Sequence, residues 1–162
     1  LTLFVMNGKI LGKTRLMKTL FLIKQEVPDV HGLPSFVPHK YGPYSSQVQE
    51  ALEGLEKEGL VVVKGPIDTQ DPLESDRIEP NGEKLERHCY VIELTEEGKR
   101  EAKNTFNKAR NMDREVLDSV VRTIKSYGFL KLESLLMYVY TRYPEYATRS
   151  ELAKELREAG LL

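Results

Sequence analysis

A chain of 162 residues, 40% apolar and 30% charged, carries enough apolar surface for one core and too much for a disordered tail. Its net charge of −1 selects neither an acidic nor a basic partner, so only local charge is informative. Cys89 is the single cysteine, which excludes an internal disulfide, and no apolar run approaches the roughly 18 residues of a membrane helix. The chain opens at Leu1 without a Met, and a cytoplasmic location is the expectation.

In chain order, LTLFVM (1–6) reads as the end of an apolar helix, closed by the turn Asn7-Gly8. The next segment, GKILGKT (8–14), resembles a phosphate loop but leaves three residues between its glycines where four are needed. It reads as a turn, with Thr14 capping a helix over 14–26. In that helix Leu16, Leu20 and Ile23 form a stripe that Met17 and Phe21 widen, and Val27-Pro28 stops it.

Gly42-Pro43 predicts a turn between Tyr41 and Tyr44. A helix follows, with Ser46 and Gln49 at capping-box spacing and Val48, Ala51, Leu52 and Leu55 on one face. Gly59 suits the left-handed position after it, with Leu60 folding back onto Leu55. LVVVK (60–64) and HCYVIELT (88–95) read as paired strands. Between them, the three prolines and two glycines of 65–86 predict a long loop.

The remainder is helical. One helix begins after Thr95, with Ala102, Phe106 and Ala109 inward. Another follows Asp113, with Val116, Val120, Ile124 and Tyr127 inward, and ends at Gly128. A third, over 130–143, presents Leu132, Leu135, Leu136, Val139 and Tyr143 until Pro144 breaks it. Thr148 and Glu151 have capping-box spacing for a short last helix, ended by Gly160. The expected class is α+β, mainly helical: a winged helix-turn-helix over 1–95 with a wing loop at 65–87, and a helical extension over 96–162.

LEGLEKEGLVVV (52–63) with YVIELTEEGKREA (90–102) resembles winged-helix transcription regulators of the MarR and PadR kind. The matching elements are Leu55 to Leu60 and Leu94 to Gly98. GKTRLMKTLFLIKQE, FVPHKYGPYSSQVQEALEGLEKEGL and YVYTRYPEYATRSEL together look like the prokaryotic, especially archaeal, YwgA and Panacea (SocA-like antitoxin) group. Tyr-Gly-Pro-Tyr-Ser is the most specific of these elements. The resemblance implies an antitoxin or partner-binding module, with a toxin as one partner, and supplies no catalytic residues.

His31, His39 and the His88-Cys89 pair lack paired ligand spacing, and no nucleophile, base and orienting group suggest themselves. The expectation is therefore a non-enzymatic module without cofactor or metal. Its contacts to DNA would come from Arg15, Lys18, Lys40, Ser46 and Gln47, with Gln49 also able to reach base edges or phosphate. Tyr41 and Tyr44 either staple the loop to the core or meet a protein partner.

Charge is divided along the chain. Residues 44–63 hold one cation, Lys57, against Glu50, Glu53, Glu56 and Glu58, and residues 64–94 hold four against eight acids. Residues 1–43 carry six cations against two acids, and 95–131 nine against six. The two elements that read DNA in a winged helix are thus the acidic ones. Leucines on one side of the 130–143 helix and tyrosines on others predict a homodimer through 112–162.

Overall fold

The computed structural model describes residues 1–67 and 89–162, with the backbone of two short strands between them. In order these residues form α1 (Thr2–Val5), β1 (Lys9–Leu11), α2 (Lys13–Glu26), β2 (Val37–His39), β3 (Gly42–Tyr44), α3 (Ser46–Lys57) and β4 (Val61–Ile67). There follow β5 (Arg77–Ile78), β6 (Lys84–Leu85), β7 (Cys89–Leu94), α4 (Glu96–Met112), α5 (Arg114–Tyr127) and α6 (Leu132–Arg142). A 3-10 turn (Pro144–Ala147) and α7 (Glu151–Glu158) complete the chain. The class is α+β, mainly helical. Of the predicted loop 65–87, residues 65–67 continue β4; apart from β5 and β6 the rest lies outside the described residues.

Three strands form an antiparallel sheet in the order β1-β7-β4. The central strand, β7, pairs Ile92 with Ile10 on one side and with Val63 on the other. Segment 8–14, expected to be a turn, contains β1, set between Gly8 (φ 86°) and Gly12 (φ 85°). Gly12, not Thr14, is the N-cap of α2, and it has no side chain to offer.

A second correction concerns the opening of α3. The hairpin turn is Lys40-Tyr41, and Gly42-Pro43-Tyr44 is strand β3, paired with β2 through Val37↔Tyr44 and Pro38↔Pro43. Facing prolines are tolerated because this ribbon has two strands and its outer edges need no ladder bonds. Ser45, not Ser46, caps α3, its Oγ accepting from the Val48 amide at 3.4 Å. Likewise Ser150, not Thr148, caps α7, accepting from the Ala153 amide at 3.2 Å.

Helix α6 is the centre of the core: Leu132, Leu135, Leu136 and Val139 are fully buried against one cluster that includes Phe21 and Leu22 of α2. Its tyrosines and the C-cap Tyr143 are used within the chain. Tyr138 and Tyr143 donate to Glu26 Oε1 at 2.7 and 3.4 Å, and Tyr140, also buried, shares a 2.7 Å hydrogen bond with Ser150. The apolar sides that suggested a homodimer are thus covered by α2 and α7, which removes the argument for pairing through α6.

Candidate functional site

The two motifs that carry the resemblance interlock where α3 ends and α4 begins. Gly59 takes φ 71°, and the Leu60 amide closes back on the Leu55 carbonyl at 2.9 Å, a Schellman ending. Thr95 Oγ1 donates to the Gly59 carbonyl at 2.7 Å and accepts from the Gly98 amide at 3.0 Å, capping α4. Gly98 has no room for a side chain: a Cβ there would lie 1.8 Å from the Leu60 carbonyl oxygen. The sheet, α3 and α4 therefore meet at one fixed joint.

The Tyr-Gly-Pro-Tyr-Ser element is a second joint, between the hairpin and the C-terminal helices. Lys40 is tied to α7 twice: its carbonyl accepts from the Glu151 amide at 2.8 Å, and its Nζ lies 3.3 Å from Glu151 Oε1. The ring of Tyr140 lies directly under Gly42. Burial pushes the Tyr140 hydroxyl well above the usual tyrosine range.

The predicted contact residues divide accordingly. Arg15 is buried: its Nε donates to the Leu11 carbonyl at 3.2 Å, and Nη1 reaches the carbonyls of Gly128 and Leu130 beyond the end of α5. It holds a helix end and cannot touch DNA in this conformation. Lys18 is 2% exposed, with Nζ donating to the Pro43 carbonyl at 3.2 Å, and burial pulls its ammonium down to about 7. It too is withdrawn from any phosphate. Sequence patterning placed both on a basic helix and could not see the carbonyls that receive them.

Lys40 remains 46% exposed in its side chain despite its ion pair. Tyr41 and Tyr44 are half-buried against the core, and Tyr44 lies 4.7 Å from the His39 ring, so both act as staples. Ser46 and Gln47 face solvent, although Gln47 Oε1 accepts from the Ser35 amide at 2.8 Å. Gln49 donates to Glu53 at 2.8 Å. Only Val48 and Leu52 of α3 are buried. The rest of the helix presents Glu50, Glu53 and Glu56 to solvent, with Glu58 at its C-cap, beside a Leu55 that is 39% exposed.

A charged surface that the segment sums obscured lies on α4. The cations of its first half are paired, Lys99 with Glu96 and Arg100 with Glu97. From Ala102 to Met112 there is no acid, and Lys103, Lys108 and Arg110 stand exposed. Counting charge by half-helix would have exposed the asymmetry; summing over 95–131 averaged it away.

Among the described residues, no group of three or more His, Cys, Asp or Glu could hold a metal, and no helix is long and apolar enough to cross a membrane. The His88 position lies outside the described residues. Compared with models of known protein families and with curated proteins, the chain matches none.

Proposed function

We propose that the chain is a non-enzymatic regulatory module of the winged-helix kind, a DNA-associated regulator or antitoxin-like protein acting in the cytoplasm. One observation carries the reading. Strands β1, β7 and β4 lie in that order, with α2 and α3 inserted between β1 and β4 along the chain; in this reading the segment between β4 and β7 is the wing. In this reading α2 and α3 are the helix-turn-helix pair, joined by the β2–β3 hairpin in place of a short turn. Lys40, Ser46 and Gln47 are the exposed groups near the start of α3 that DNA could meet.

The acidic face of α3 opposes close approach of phosphates, so affinity for arbitrary duplex is weak and recognition depends on a particular sequence or a partner chain. Selection of bound fragments from a random duplex pool tests this. Enrichment of one sequence family supports the reading, and a pool that stays random after repeated rounds contradicts it.

A second reading has its own observation. Glu50, Glu53 and Glu58, with Leu55 exposed among them, suit a basic protein segment carrying an apolar anchor, as a toxin partner could supply. Co-purification with such a chain, abolished by Leu55→Arg, would favour it over DNA recognition.

A further inference from the structure

We infer that the outward face of the second half of α4 is a docking surface for the phosphate backbone of duplex DNA. The inference rests on the DNA-associated reading and changes where the duplex sits: it is held by α4, not centred on α3.

The residues are Lys103, Asn104, Asn107, Lys108, Arg110 and Asn111, all exposed. At about 100° per residue they fall within an arc of roughly 160°. That arc lies opposite the face of α4 that packs inward through Ala102, Phe106 and Ala109. Over about 12 Å of helix the surface offers three cations and three amides, and no acid interrupts it. Lysine, arginine and asparagine are the donors that meet phosphate oxygens without reading bases.

What marks this face is that no acid answers its cations, whereas the cations on either side of it along the chain are paired. Lys99 and Arg100 are answered by Glu96 and Glu97, and Arg114, just beyond, by Asp118 at 3.7 Å. Lys103, Lys108 and Arg110 form no ion pair among the described residues. The helix dipole accounts for a cation such as Arg110 in the last turn, but its influence fades before Lys103, more than two turns from the end. The complementary observation is the exposed acid of α3, which repels a polyanion there. Because Thr95 and Gly98 lock α4 to the end of α3, the two faces keep a fixed relation.

The test is fluorescence anisotropy with a short random-sequence duplex at about 50 mM salt, using the full chain. The variant is Lys103→Gln/Lys108→Gln/Arg110→Gln. Its control, Arg149→Gln/Lys154→Gln/Arg157→Gln, removes three exposed cations around and within α7. The expected result is a loss of about 30-fold or more in the α4 triple variant and under about threefold in the control, since each lost phosphate contact removes a counterion-release contribution. A third variant, Lys103→Arg/Lys108→Arg, keeps the charge and should bind as the wild type does.

Unchanged binding in the α4 triple variant overturns the inference and leaves the DNA-associated reading standing. Equal losses in both triple variants overturn it in favour of general electrostatics. No random-duplex binding by the wild type overturns the inference and leaves the DNA-associated reading to the fragment selection.

Discussion

Gly42 and Tyr140 fit together with no space for a methyl group. A Cβ on Gly42 would stand 2.7 Å from Cε1 and 2.8 Å from the hydroxyl oxygen of Tyr140, and Gly42 holds φ +85°. Both the conformation and the contact demand glycine. Gly42→Ala should destabilise the protein by about 2–4 kcal/mol, joining backbone strain to overpacking. In a Tyr140→Ala background the same change should cost only about 1 kcal/mol, because only the backbone strain remains. Denaturant midpoints of the four proteins in this cycle measure the coupling, and additive effects would refute the contact.

The joint between α3 and α4 makes two glycines differ in sign. Gly98→Ala places a methyl group against the Leu60 carbonyl, which is backbone and cannot swing aside, and should destabilise by about 3 kcal/mol. Gly54, inside α3, has open space where a Cβ would sit. Gly54→Ala should stabilise by about 0.5–1 kcal/mol through helix propensity. Thermal melts of the two variants decide, and equal shifts would contradict this account of the joint.

Lys18 gives stability a pH dependence. Its folded value of about 7 lies below the 10.5 of an exposed lysine. Between these the unfolded chain binds a proton that the folded chain does not, so stability rises with pH. Below about pH 7 the full cost of burying the charge is present. From about pH 7 to 9 stability should rise by up to about 1.4 kcal/mol per unit, before tyrosines titrate. Lys18→Met should flatten that rise. A wild-type curve already flat across this interval would show that the ammonium is not held dry.

The acids of α3 should act as a brake on DNA. Glu50→Lys/Glu53→Lys replaces two exposed carboxylates with cations and should strengthen binding to random duplex by about tenfold or more at low salt. Weaker or unchanged binding would place α3 far from the nucleic acid.

Much of this architecture was legible in the residues. Val48 and Leu52 with Gly59 and Leu60 define α3 and its ending, because a helix face and a left-handed glycine are local properties. Strand β1 was not legible: three residues show no period, and its partner Ile92 is remote in sequence. The caps slipped among neighbouring hydroxyls, Ser45 against Ser46 and Ser150 against Thr148, since the choice depends on which backbone turns extended. Arg15 and Lys18 read as surface cations because nothing local reveals the carbonyls of Gly128, Leu130 and Pro43. The exposed cations of α4 were visible but were averaged with the paired ones before them.

The most direct measurement is the salt dependence of duplex binding by the wild-type chain. Three phosphate contacts, from Lys103, Lys108 and Arg110, predict a slope of log K against log salt of about −3, at roughly −0.9 per contact, with weak affinity for random sequence at physiological salt. Sub-micromolar binding there with a slope of about −6 or steeper would contradict the account. It would mean that many more cations converge on DNA than α4 presents, with the acidic helix turned away.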